Sequence, residues 1–129
     1  MRILSAKKDK KGHYSPGVIM NGTLYISGQL PVVPATGKIA AGGIREQTRQ
    51  ALANVDAVLA RAGAGRENIG VCRLYVSDIS LWDTVNEVYA EFFGDHRPAR
   101  IVVPTRELHY GALIEIEAEA EMPSGSVKE

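Results

Sequence analysis

The chain has 129 residues and sets 15 Lys and Arg against 15 Asp and Glu, so its formal net charge is zero. That length allows one domain, residues 1–129, with a core that needs no disulfides. Neutrality lowers the expectation of a nucleic-acid partner, because binding to a polyanion is driven by a basic excess.

The hydrophobic and charged fractions, 45% and 23%, are those of a folded soluble domain. One cysteine, Cys72, cannot form an intramolecular disulfide. Residues 1–16 are basic and lack the apolar run of a signal peptide. No segment approaches the roughly 20 apolar residues of a membrane helix. These features lead us to expect a cytoplasmic, reduced protein with no membrane contact. The run KKDKK over residues 7–11 reads as a solvated turn.

The first strong structural signal is VIMNGTLYIS, residues 18–27. Asn21-Gly22 between two β-rich runs predicts a type I′ hairpin, since both central residues must take positive φ. Strands are expected at 17–20 and 23–27. Residues 28–43 carry Pro31, Pro34, Gly37, Gly42 and Gly43 and read as a long loop, with a short edge strand near 38–40. Residues 44–63 predict an amphipathic helix. Ile44, Thr48, Ala51, Leu52, Val55, Val58, Leu59 and Ala62 recur at spacings of three and four, and Gly63 closes it.

Residues 70–77 predict a strand with Cys72, Leu74 and Val76 on one face and Val71, Arg73 and Tyr75 on the other. A second helix, capped by Asp78 or Ser80, is expected over 81–93. Its apolar stripe is Trp82, Val85, Tyr89 and Phe92, flanked by Leu81, Val88 and Phe93. A turn and a short strand at 100–103 follow. The last strand, 113–122, alternates without a break: Ile114, Ile116, Ala118 and Ala120 against Glu115, Glu117, Glu119 and Glu121. Four carboxylates on one face repel one another, and Arg73 and Arg100 are the candidate cations to offset them.

The order hairpin, helix, strand, helix, strand, strand predicts a mixed α+β sheet with a parallel strand–helix–strand unit and both helices on one face. The other face mixes Tyr75, Arg73 and glutamates. Being neither core nor ordinary surface, it is expected to meet another subunit.

Few residues suggest nucleophilic or metal chemistry. Cys72 sits mid-strand among apolar neighbours and reads as a structural thiol. His13, His96 and His109 are isolated, and no spacing completes a metal set, so no metal site is expected. Gly42-Gly43 lacks the Gly-Lys of a phosphate loop. Pro98-Ala99-Arg100 is more informative. An arginine opening a strand and pointing into a cleft can grip a carboxylate through two parallel hydrogen bonds. Spacing alone favours the plainer reading, that Arg100 pairs with the acidic strand.

Four stretches together resemble the Rid family, the reactive intermediate deaminases of RidA (YjgF) type, also known as L-PSP ribonucleases. They are Gly12-His13-Tyr14-Ser15-Pro16; Tyr25-Ile26-Ser27-Gly28-Gln29-Leu30-Pro31; Val85-Asn86-Glu87-Val88-Tyr89 with Phe92-Phe93; and Pro98-Ala99-Arg100 followed by Leu113-Ile114-Glu115-Ile116. The resemblance implies a chorismate-mutase-like α+β fold and a homotrimer with three clefts between subunits. It implies hydrolysis of 2-enamines and 2-imines, made when pyridoxal-phosphate dehydratases act on serine or threonine, to 2-keto acids and ammonia, with no cofactor. Arg100 falls on the family's carboxylate-binding arginine and Glu115 on its water-orienting glutamate. Tyr14, Ser27 and Gly28 fall on cleft positions. Val102 stands where the best-studied type often has cysteine, with a main-chain role. Ile101 and the turn His109-Tyr110-Gly111 also depart from the common pattern and bear on substrate choice.

Two other readings compete. One is a ribonuclease or translation inhibitor, which neutrality and the absence of a basic–aromatic stripe oppose. The other is a non-catalytic trimer that binds keto acids and regulates a partner, for which Arg100 would serve equally well.

Overall fold

The computed structural model describes residues 1–6 and 11–124. Most of the basic run at 7–11 therefore lies outside the described residues. The chain builds β1 (Arg2–Leu4), β2 (Gly17–Met20), β3 (Thr23–Gln29), β4 (Val32–Val33), β5 (Lys38–Ile39), α1 (Ile44–Ala62), β6 (Ile69–Val76), α2 (Trp82–Phe93), β7 (Ala99–Pro104) and β8 (Ile114–Glu121). Six strands form one sheet in the order β1-β2-β3-β8-β6-β7, and β4 and β5 make a separate two-stranded ribbon.

The expected hairpin is present. Asn21 has φ 53° and Gly22 φ 77°, the left-handed pair that a type I′ turn requires. β1, which pairs with β2, was not expected. Its three residues carry little periodicity, and only the edge offered by β2 makes them a strand. β6 and β7 are parallel, with α2 crossing between them, as the strand–helix–strand order predicts. The other neighbours in the large sheet run antiparallel.

Both helices cover one face, where they bury the inward residues of the strands. Leu24, Cys72, Leu74, Ile114, Ile116 and Ala118 are almost completely enclosed. Removing each larger apolar side chain from water contributes about 1.5–3 kcal/mol. α1 begins where the Glu46 carboxylate accepts from the Gly43 N–H at 3.0 Å. It ends at Gly63, φ 84°, whose N–H and the N–H of Ala64 return to Ala60 and Leu59 carbonyls. Two polar side chains of α1 enter the core and are satisfied there. Thr48 donates to the Ile44 carbonyl at 2.7 Å, and Gln47 accepts from the Leu113 N–H at 2.8 Å. The second contact anchors the start of β8. Asn54 fixes the loop after β3 by donating to the Leu30 and Val32 carbonyls, each at 2.9 Å.

α2 differs from its expected stripe. Val85, Val88, Tyr89 and Phe93 are buried, whereas Trp82 is 36% exposed at the helix start and Phe92 is only half-buried. The turn before it is a short 3₁₀ segment, Ile79–Leu81, capped by Asp78 accepting from the Ser80 N–H at 2.8 Å.

Candidate active site

The acidic strand partitions its carboxylates one by one. Glu119 is bound to Arg73 at 2.7 Å, and Glu117 accepts from the Tyr75 hydroxyl at 2.6 Å. Glu121 is exposed at the strand end. Arg73 thus offsets the repulsion as expected. Arg100 does not. In the parallel ladder it stands beside Cys72, whose side chain points to the helices, so the guanidinium leaves the acidic face altogether.

Glu115 remains without an ion pair among the described residues. It sits opposite Tyr75 and is half-buried. Burial raises its carboxyl above the usual range; the charge of Glu117 adds to this and that of His109 opposes it.

Across β8 from Glu115, β3 carries a bulge. Ile26 pairs with Ala118 and Gln29 with Ile116, so three steps on β3 match two on β8. Ser27 and Gly28 occupy the distortion. The Ser27 hydroxyl donates to the Ser15 carbonyl at 2.6 Å, leaving its oxygen free to accept. Gly28 faces the carboxylate so closely that a Cβ there would lie 2.7 Å from Glu115 Oε2. Only glycine leaves that oxygen its place.

A groove of about 1190 Å³ opens at this point, lined by Tyr14, Ser27, Gly28, His109, Tyr110 and Glu115 among others. Tyr14 is exposed and lies across Gly12, while His109 and Tyr110 stack with ring centroids 3.8 Å apart. Tyr110 takes φ 60°, a conformation that L residues rarely adopt.

The second half of the site is elsewhere. Arg100 and Val102 do not line the groove. Arg100 lies over α2, where Nη1 donates to Asn86 Oδ1 at 2.9 Å and the guanidinium carbon sits 4.8 Å from the Tyr89 ring and 5.4 Å from the Trp82 ring. Among the described residues no carboxylate pairs with it. Val102, two residues on, packs against the core. Asn86 falls within the motif Val85-Asn86-Glu87-Val88-Tyr89, where no local pattern assigns it a role. A polar residue four positions after Trp82 and three before Tyr89 was the available signal.

Cys72 is fully buried, and burial pushes its thiol up to about 11, as expected of a structural thiol. His96 bonds the Ile69 carbonyl at 2.7 Å and faces the Phe93 ring.

The chain matches the family described as Endoribonuclease L-PSP over residues 5–122. A RutC family protein of Pyrococcus horikoshii is 42% identical over 107 residues, which cover 83% of this chain and 85% of that protein. The human protein named 2-iminobutanoate/2-iminopropanoate deaminase is 38% identical over 121 residues, 92% of this chain and 88% of that one. Among solved structures, E. coli TdcF with bound serine has a TM-score of 0.87 at 32% identity, covering 95% of this chain and 100% of TdcF. The fold is that of the solved L-PSP and YjgF structures. The chain belongs to the Endoribonuclease L-PSP family, the RidA/YjgF group that its four motifs resemble.

Proposed function

We propose that this protein hydrolyses reactive 2-imino acids, and the enamines that tautomerise to them, to 2-keto acids and ammonia. The observation that carries the reading is the Arg100 guanidinium, which is oriented by a neutral amide and two rings and has no carboxylate partner among the described residues. Such a cation is suited to a substrate carboxylate, which it can take through two parallel hydrogen bonds. The human relative bears the name of an imine deaminase, and TdcF was solved with an amino acid bound.

In the proposed step, water adds across the C=N bond, its oxygen to carbon and a proton to nitrogen. The carbinolamine then expels ammonia as its oxygen becomes the carbonyl. Glu115 is the group to orient that water and accept its proton. Its raised carboxyl makes it a stronger base than an ordinary surface carboxylate. The Ser27 oxygen is placed to accept from the imine nitrogen. Positioning of this kind removes several kcal/mol from a barrier that is already low for an imine.

Arg100 and Glu115 stand on opposite faces of one sheet, so a small substrate can meet both only if they come from two copies of the chain. We therefore assign the site to clefts between the subunits of a homotrimer, one cleft per pair. The open sheet face supports this assembly, with Ile3, Tyr25 and Ile101 exposed along it. No helix of the described residues is long and apolar enough to cross a membrane, and the proposal places the enzyme in the cytoplasm.

The test is a coupled assay. A serine or threonine dehydratase generates the imine, and keto-acid formation is followed with and without this protein. Acceleration by the wild type and none by Arg100→Ala is expected. Equal rates with and without the wild-type protein would overturn the deaminase reading.

A further inference from the structure

One cluster of side chains on α2 has no part in the step described above. Trp82, Asn86 and Tyr89 stand at i, i+4 and i+7 on α2, a spacing that places them on one stripe of the helix. All three converge on Arg100. We propose that these residues are positioning residues for Arg100, holding its guanidinium through contacts that leave the positive charge uncompensated. The inference rests on the reading of Arg100 as the carboxylate grip and specifies how the chain keeps that grip usable.

A long arginine side chain opening an edge strand would sample many rotamers. Three contacts of different kinds restrict it. The Asn86 amide oxygen takes one N–H and sets the plane of the fork. The faces of Tyr89 and Trp82 attract the cation without bearing formal charge. Asparagine and the rings differ from the usual partner of a half-buried arginine in this fold. Arg45, Arg66 and Arg73, each half-buried, all pair with a carboxylate. A carboxylate at Asn86 would hold the fork as firmly and would compete with the substrate for it.

Tyr89 is itself held from beneath. Its ring is buried, and its hydroxyl is the buried side-chain polar atom without a hydrogen-bond partner among the described residues. Burial raises the Tyr89 hydroxyl, and the neighbouring Cys72 thiol adds to that shift. Cys72 is also the ladder neighbour of Arg100. The buried thiol thus neighbours the strand position of Arg100 and the hydroxyl end of the tyrosine that supports the guanidinium.

The experiment compares wild type, Asn86→Asp, Asn86→Ala, Trp82→Leu and Trp82→Phe. It measures the Kd for 2-oxobutanoate by calorimetry, KM and kcat in the coupled assay, and Tm. Asn86→Asp should keep the wild-type Tm while weakening 2-oxobutanoate binding about tenfold or more at neutral pH, the scale of a competing charge near a protein surface. Its binding should recover as the pH falls through the carboxylate range, a response that a purely structural amide would not produce. Trp82→Leu should raise KM several-fold with a smaller effect on kcat, and Trp82→Phe should restore it. Asn86→Ala, which removes the contact without adding charge, should fall between wild type and Asn86→Asp. Wild-type affinity in Asn86→Asp across the pH range, or equal KM in Trp82→Leu and Trp82→Phe, would overturn the proposal. So would the absence of 2-oxobutanoate binding by the wild type. If the wild type binds 2-oxobutanoate and accelerates nothing, the deaminase reading fails alone. The positioning role is then decided by the Kd values.

Discussion

Arg100 and Glu115 lie on opposite faces of the same sheet, three register steps apart along β6: Arg100 beside Cys72, Glu115 beside Tyr75. Strand alternation makes an odd separation a change of face. The cation is thereby delivered to the helix side and the carboxylate to the open side. The separation prevents the two from forming an internal ion pair, which would silence both.

Gly28→Ala tests the crowding at Glu115. The added Cβ would meet Oε2 at 2.7 Å, and the carboxylate, being the flexible end of its side chain, would turn away. The backbone of Gly28 is not in the positive-φ region, so the fold should tolerate the change. We expect kcat to fall about 10- to 100-fold, the scale of a misplaced general base, with Tm nearly unchanged. Unaltered kcat would show that this oxygen has no part in the reaction.

The pH profile should carry the signature of Glu115. Burial raises its carboxyl and Glu117 adds to the effect, so the acid limb of kcat/KM should lie above the ordinary carboxylate range. Glu117→Gln removes the like charge and keeps an oxygen for the Tyr75 hydroxyl. It should move the limb to lower pH. The sign for stability follows from linkage. A carboxyl raised in the folded state favours folding below its unfolded pKa, and that contribution is lost as the pH rises through the folded value. Glu115→Gln should therefore raise Tm at pH 7, with the gain disappearing in acid. A Tm difference independent of pH would contradict this.

The β2–β3 turn offers a stability test remote from the site. Gly22 has φ 77° and open space around a built Cβ, so alanine there incurs only the backbone penalty. Gly22→Ala should lower unfolding free energy by about 1–2 kcal/mol in urea titration. Deaminase activity should be retained. An unchanged urea midpoint would show that the turn relaxes to another type.

What the sequence made legible follows the range of the forces involved. Asn21-Gly22 and Gly63 were readable because a turn or cap is decided by a few adjacent dihedrals. The two helices and β8 were readable because burial imposes a period on each. Trp82 was misplaced because periodicity counts apolar residues and cannot know that an arginine from β7 reaches the first turn of α2. Arg100 was offered to the acidic strand for a related reason. Its face depends on the register between β6 and β7, which no local pattern records. The bulge at Ser27-Gly28 was also hidden. The loop was expected to begin at residue 28, whereas the structure continues the strand to Gln29 and uses the missing Cβ of Gly28 to admit a carboxylate. Tyr14, Ser27, Gly28 and Glu115 line one groove, while Arg100 and Val102 lie outside it. Asn86 was in plain sight without a role, since its partner comes from another element.

In the proposed site, Arg100 and Glu115 come from different copies of the chain. Arg100→Ala and Glu115→Gln should each be inactive in the coupled assay. Unfolded together in equal amounts and refolded, they should recover roughly a quarter of the wild-type rate, the share of interfaces that random mixing leaves with both groups intact. The same chains refolded separately and then combined should stay inactive until subunits exchange. No recovery from the co-refolded mixture, with mixed oligomers confirmed by mass, would contradict a site shared between subunits.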